Sequence, residues 1–539
     1  MNLGRRLRHF SLDLSTQLER GKYFYLLNFS IVFIGLTALR ALARPLWYDE
    51  LFTYYMSRLP GLASTWSALK DGADLNPPLL YLATRAAQRV FGNGLIATRL
   101  PAILGFLTML LCVFRFTAVR CGAGFGFAAM LFTALSGAYT FAYEARSYGM
   151  VLGFCGLSLV AWQMAAAEGR SRRFAIPLLC LSVAGALLSH CYAVLILIPL
   201  AAGEIIRSLD RKKLDWPIWI ALTAASCPVL IYLPLLAAKQ RLVLDNVTFR
   251  PTLRVLIDSY GMLAAPLAAP LIVALVIIVA TRPTAAPAKI PNRAGEPSGF
   301  RLHEIGAAFG LILIPLFAFL VAKFVSNIFM ARYGIAAAVG FSILFARFAH
   351  RYAGDRRVAG AMLPIVFAAW FVSSFALWML ETAHSHVSAA SKPASAPHAY
   401  EIPPQLVNPD LPFVAANGLF FLEADHYAPD AFVSRLFYLA DPRAAVRYTG
   451  SDVFDKGFRI MQKWFPIRAR VEDYGPFVGR NKRFLVFGEF DHPLGWLTKR
   501  LLDDGARLRF LGQYHGAYGE NLLLEVTMPD VQPALPPER

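Results

Sequence analysis

Charge is scarce in this chain, and negative charge is scarcer still. Asp, Glu, Lys and Arg make up 16% of its 539 residues, where soluble domains carry about a quarter, and 35 acids face 53 Lys and Arg. Together with 57% apolar residues and a mean hydropathy of +0.48, this excludes an ordinary soluble domain. Cysteine is also sparse: Cys112, Cys121, Cys155, Cys180, Cys191 and Cys227 are all there is, and no two stand at the spacing of a zinc or redox motif. Small buried hydrophobes are the role that fits them, and the chain after Met379 must fold without disulfides. The net charge of +18 would suit nucleic acid, but the basic residues fall in short clusters between apolar runs. That pattern orients membrane helices, so no nucleic-acid partner is expected.

What is abundant is apolar sequence in membrane-length runs. They lie at about 23–43, 99–114, 122–141, 147–167, 174–189, 192–206, 216–238, 262–281, 304–322, 334–348 and 359–380, predicting a polytopic α-helical membrane protein of about eleven spans. The first follows Arg5, Arg6 and Arg8 and ends at Ala41-Leu42-Ala43, as a signal peptide would. At about 20 residues it is long enough to cross a bilayer and reads as an uncleaved helix. The segment Pro77–Phe91 is shorter and sets Arg85 and Arg89 one helical turn apart, so it reads as an interfacial amphipathic helix. With residues 1–22 in the cytoplasm, every inside loop is then basic: Arg115 and Arg120; Arg170, Arg172 and Arg173; Arg207, Arg211, Lys212 and Lys213; Arg282, Lys289, Arg293 and Arg301; Arg347, Arg351, Arg356 and Arg357. The outer face collects the first loop (44–98), Glu144, His190, the loop from Lys239 to Tyr260, Lys323 to Arg332 and everything after Glu381.

The domain plan that follows is a transmembrane region over 23–380, a linker over 381–404 rich in Ala, Ser and Pro, and a small outer α/β domain over 405–539. Two segments of the last look alike, Leu419 to His426 and Leu485 to His492, each a strand-like run followed by Glu-x-Asp-His. Amphipathic stretches follow at Asp430–Leu439 and Leu494–Leu502, which predicts two strand-to-helix units. Metal clusters at the carboxyl ends of strands would be the sharper reading. The plainer one is preferred: Asp425 and Asp491 cap the following helices and the histidines lie on the surface. Glu381, His384 and His386 could likewise chelate a metal, but open the linker.

The acids that remain are grouped. Asp49-Glu50 directly follows the first span, and a carboxylate carried into lipid costs roughly 2.5–3.5 kcal/mol or more, so such a pair is presumed functional. Asp74-Leu75-Asn76-Pro77-Pro78-Leu79-Leu80-Tyr81 follows, then Arg99-Leu100-Pro101, and Tyr143-Glu144-Ala145-Arg146-Ser147-Tyr148 opens the fourth span. In order and spacing these resemble the membrane glycosyltransferases of the C-type fold, within the dolichyl-phosphate-mannose protein mannosyltransferase-like family, whose bacterial members use polyprenyl-phosphate sugars. The resemblance covers roughly residues 20–340. One departure is Asn76, where the family often has a His before the two prolines.

The resemblance implies an inverting glycosyltransferase that moves a sugar from a polyprenyl-phosphate donor to a hydroxyl of a glycan, lipid or protein acceptor. Asp49 matches the family's first-loop aspartate, the base, with Glu50 supporting it, and Glu144 matches its second acidic position. Such a reaction starts with a good leaving group, so it needs a base for the acceptor proton and positive charge for the departing phosphate. Arginine's planar fork suits phosphate, and Arg332, in an Arg-Tyr pair like the family's, leads the candidates, followed by Arg146 and Lys323. For Lys323 the preferred reading is a snorkelling lysine at a helix end. His190, before Cys191-Tyr192, contacts phosphate or metal, or is structural. Asn76, Tyr81, Tyr148 and Tyr333 complete the expected substrate contacts. A divalent cation is compatible with these residues but not required by them. The competing class is a flippase of lipid-linked sugars, which would show two similar halves; no such repeat is evident.

Overall fold

The computed structural model describes residues 2–167, 169–243, 249–281, 299–391, 409–489, 492–516 and 519–530. Arg282, Lys289, Arg293, Asp491 and the linker residues 392–404 lie outside them, as does the side chain of His386. The chain forms two compact bodies: a helical one from residues 1–45, 76–233 and 251–377, and a second that gathers residues 46–75, a segment from Pro234, and the chain from Trp378 onward.

In the helical body the expected spans take three forms. Among the described residues, eight helices are long and apolar enough to cross a bilayer: Lys22–Leu42, Leu95–Cys121, Tyr148–Ala166, Arg172–Ser189, Cys191–Arg211, Trp216–Leu235, Leu253–Ala280 and Arg356–His384. A ninth, Leu302–Ile312 with Ile314–Ser326, is bent by 48°. The other two expected spans are shorter helices, Ala123–Leu135 and Ala337–Tyr352. The run expected at 122–141 stops at Leu135 because Ser136 turns extended and its hydroxyl bonds the Thr133 carbonyl. Gly137 then opens a 3₁₀ turn at a point where a β-carbon would lie 1.9 Å from the Met262 carbonyl oxygen, so only glycine fits. Residues Leu79–Phe91 form a helix of 13 residues, too short to span.

Helix association in lipid lacks a hydrophobic driving force and relies on close packing. Leu95–Cys121 and Tyr148–Ala166 meet backbone to backbone, and a β-carbon on Gly149 would sit 2.4 Å from the Ala102 carbonyl oxygen. Aromatic side chains fill the layers beyond, as where Phe132 stacks on Phe345 at 4.4 Å. Near the end that the charge pattern assigns to the cytoplasm, the buried acids among the described residues are paired: Glu304 with Arg120 and Gln163, Glu204 with Arg207 and Trp162, and Asp215 with Arg172 and Arg207.

The second body carries a six-stranded sheet: β1 (Phe413–Ala415), β2 (Leu436–Ala440), β3 (Arg470–Asp473), β4 (Arg483–Gly488), β5 (Arg507–Gly516) and β6 (Gly519–Thr527). Its order is β3-β2-β1-β4-β6-β5, with β3, β2, β1 and β4 parallel and β6 antiparallel to both of its neighbours. The four parallel strands need crossover helices, which cover both faces. Hence β2, Leu436-Phe437-Tyr438-Leu439-Ala440, is buried at every position.

The two look-alike segments diverge here. Leu485–His492 begins as expected, with β4 running to Gly488, and Leu497–Asp503 is helical. Leu419–His426 is not a strand: Asn417 caps a helix over Gly418–Tyr427, its Oδ1 accepting from the Phe420 N–H at 3.1 Å. The strand of that unit is β1, upstream. The amphipathic stretch Asp430–Leu439 likewise splits into a short helix, Asp430–Val433, and strand β2. Residues 381–391, read from sequence as the start of the linker, continue the last membrane helix to Ser391.

Candidate active site

In the helical body, one buried side chain shapes the corner after the first span. The Arg99 guanidinium, wholly buried, donates to the carbonyls of Ala41, of Arg44 at 2.7 Å and of Pro45 at 2.9 Å. These are orphan acceptors at a helix carboxyl end, where positive charge is favoured. The same corner presents Arg44, whose Nη2 lies 3.4 Å from Glu144 Oε1 and whose guanidinium sits 5.8 Å from the Tyr143 ring centre. Glu144 is mostly buried (13% side-chain exposure) and stands in a tight turn, with the Arg146 N–H donating to its carbonyl at 2.7 Å. Arg146 is itself buried.

A second group forms where three helical segments begin or break. Tyr148 opens its span, His190 ends Arg172–Ser189, and Arg332 and Tyr333 lie in a 3₁₀ turn, Ala331–Gly334, ahead of Ala337–Tyr352. Together with Tyr192 they line one narrow pocket, floored by Val151, Ile196 and Ile314. The Arg332 guanidinium is 5.8 Å from the Tyr148 ring centre, His190 lies 5.3 Å from Tyr148 and 5.6 Å from Tyr333, and Tyr192 stacks on Tyr333 at 4.3 Å. His190 Nδ1 accepts from the Tyr192 N–H at 3.1 Å, so the neutral ring carries its proton on Nε2 as a donor. The Tyr192 hydroxyl is held by Ser326 Oγ at 2.7 Å and the Ile328 carbonyl at 2.9 Å. The free volume of this pocket is about 20 Å³, room for one water, so a larger group enters only as the side chains at its rim give way.

Of the sequence-predicted residues, Tyr148, His190, Arg332 and Tyr333 therefore share one pocket. Lys323 does not join them: it is exposed in a π-turn, Ala322–Ser326, against Phe324. Tyr81 is wholly buried and Asn76 nearly so. Tyr192 and Arg44 are additions. The first was signalled by its place beside His190, the second by the demand of a buried Glu144 for a cation.

Asp49 and Glu50 belong to the second body, in the first turn of a helix over Tyr48–Arg58. Negative charge is favoured there. Glu50 is fully buried and its Oε2 accepts from the Trp47 N–H at 3.2 Å, closing the helix start, while Asp49 is half-buried. The sheet's own helices fix this loop. Glu423 Oε1 accepts from the Tyr48 N–H at 2.9 Å, the Tyr427 hydroxyl donates to the Leu46 carbonyl at 3.1 Å, and the Tyr55 hydroxyl pairs with His426 Nδ1 at 2.8 Å. Farther along, Asp71 takes Lys463 and the Trp464 indole at 2.9 Å, and the lysine's bond holds its carboxyl below the usual range.

Two sequence expectations are corrected here. His426 is not a surface residue: burial first, then the charges of Arg468 and Arg58, push its pKa down to about 4. Asp425 caps no following helix but accepts the N–H groups of Arg468 and Ala469 at 2.8 and 2.7 Å. Among the described residues no three His, Cys, Asp or Glu side chains converge as a metal site would require.

The architecture is that of the membrane glycosyltransferases of the C-type fold. Two solved structures carry the likeness: ArnT from Cupriavidus metallidurans bound to undecaprenyl phosphate, 14% identical with a TM-score of 0.50, and the same protein in the apo state, 12% identical with a TM-score of 0.51. Each covers 94% of this chain and 98% of its own. No protein-family model matches the chain, and no curated protein does.

Proposed function

We propose that this protein is an inverting glycosyltransferase of the bacterial inner membrane, taking its sugar from a polyprenyl-phosphate donor and working on the periplasmic face. The observation that carries the reading is the pocket of Arg332, His190, Tyr148, Tyr192 and Tyr333 in a body of this fold. A guanidinium, an imidazole N–H and tyrosine hydroxyls are phosphate-binding groups. Added support is that ArnT, a structural neighbour, was solved with undecaprenyl phosphate bound.

In the proposed reaction the acceptor hydroxyl oxygen attacks the anomeric carbon from the face opposite the phosphate. The bond from that carbon to the phosphate oxygen breaks, its electron pair leaves with polyprenyl phosphate, and the anomeric centre inverts. Asp49 takes the acceptor's proton. Glu50 holds the helix start that presents Asp49, and Glu144, oriented by Arg44, binds the sugar or the acceptor hydroxyl. Arg332 and His190 receive the charge on the leaving phosphate, with Arg146 as a further cation. The acceptor hydroxyl belongs to a glycan, a lipid or a protein.

Purified protein incubated with a panel of polyprenyl-phosphate sugars should release polyprenyl phosphate, and Asp49→Asn should abolish release while expression and membrane insertion persist. Retained turnover in that variant removes Asp49 as the base; no turnover with any donor removes the reading itself.

A further inference from the structure

A second set of cations in the helical body has no part in the proposed transfer. At the turn between Cys191–Arg211 and Trp216–Leu235, Arg172, Arg211 and the run from Lys213 to Pro217 enclose an open cleft of about 360 Å³. Asp215, buried at its base, is held by Arg172 and Arg207, and Arg211 stands 3.6 Å away. Glu204 takes Arg207 from the other side at 2.8 Å. Four cations, Arg172, Arg207, Arg211 and Lys213, thus face two carboxylates, Asp215 and Glu204. The acids fix the two inner arginines and leave the cleft net positive.

The rim of the cleft is apolar and unlike that of a site for a soluble ion. Leu214 and Trp216 are 49% and 64% exposed, Ile220 lies one helical turn beyond Trp216 at 63%, and Phe174 follows Arg172 at 66%. Helices Arg172–Ser189 and Trp216–Ala224 continue from here as walls of a membrane-spanning body. A tryptophan beside basic groups at the end of a span marks the headgroup level, and this end is the one the charge pattern assigns to the cytoplasm. Basic clefts between spans on that side suit anionic lipid headgroups.

We infer that this cleft binds the phosphate of an anionic phospholipid of the inner leaflet, with Arg211 and Lys213 contacting the phosphate and Leu214, Trp216 and Phe174 lying along the acyl chains. Arg172, Arg207 and Asp215 form the fixed base of the site.

Native mass spectrometry of the intact protein, released from nanodiscs of mixed phosphatidylglycerol and phosphatidylcholine, tests this. The parent should retain phosphatidylglycerol in preference to phosphatidylcholine, and Arg211→Ala with Lys213→Ala should lower that retention on the order of fivefold per charge removed. Arg211→Lys with Lys213→Arg should restore it, and Lys212→Ala, outside the cleft, should leave it unchanged. Unaltered retention in the double alanine variant overturns the site. Displacement of the lipid by millimolar inorganic phosphate overturns its lipid character and leaves an anion site. Donor turnover is unaffected in either case, so this outcome is separate from that of the transferase reading.

Discussion

The two bodies handle charge in opposite ways. In the helical body arginine side chains meet the charge and the open helix ends: Arg99 closes a helix end, Arg207 and Arg120 pair with the buried Glu204 and Glu304, and Arg44 faces Glu144. In the sheet body the buried charge is acidic, and Asp425, Asp455 and Glu50 are held by backbone N–H groups. The cause is the solvent. A membrane helix satisfies its own backbone, so side-chain charge appears only where function or a helix end calls for it. A crossover sheet domain leaves loop N–H groups to be capped, and carboxylates supply the acceptors.

The contrast breaks most visibly at Arg99. Replacing it with Met leaves three carbonyls without their donor and should cost about 3 kcal/mol or more, seen as loss of monodisperse protein or a sharp drop in melting temperature in detergent; a parent-like melt would show that the corner holds without it. Arg332→Ala should leave melting unchanged yet lower polyprenyl phosphate release on the order of 10²- to 10³-fold. Arg332→Lys should recover only part, because an ammonium lacks the planar fork. Equal loss of melting and turnover in both variants would make Arg332 structural.

On the acidic side, burial pushes the Asp455 carboxyl up to about 7 from 3.8. Folding therefore favours its protonated form, and the stability it contributes is full below pH 3.8 and is lost as pH rises toward 7. Asp455→Asn should flatten melting temperature across that window and raise it at pH 8; an unchanged profile would refute the assignment. His426 has the opposite sign. With its pKa lowered from 6.5 to about 4, its contribution is present above 6.5 and lost as pH falls through that range. His426→Gln should soften acid destabilisation by a smaller amount, read in the same melts.

Much of this was legible in the sequence, for identifiable reasons. Apolar runs of bilayer length announce spans because lipid admits few alternatives, and each expected run is a helix or a bent pair of helices. The motif order around Asp49, Glu144 and Arg332 pointed to the fold that the solved neighbours share. What was illegible depends on distant partners. Leu419–Leu422 and Leu485–Gly488 have the same apolar pattern, and only the Asn417 cap and the crossover packing make one a helix and the other a strand. Nothing local to Asp425 shows that its partners are the N–H groups of Arg468 and Ala469. Nor does any motif show that Tyr48–Arg58, read from sequence as part of the membrane domain, belongs to the sheet body.

That last assignment bears on how the protein can be taken apart. Ending the chain at Leu377 would not excise an accessory module. It would strip Glu423 from the Tyr48 N–H, His426 from Tyr55 and Lys463 from Asp71, leaving the segment that carries Asp49 without the surface it folds on. A chimera that exchanges the carboxyl-terminal body between two such proteins has to exchange residues 46–75 with it. The acidic loop and the sheet are one heritable unit written in two distant stretches of the gene.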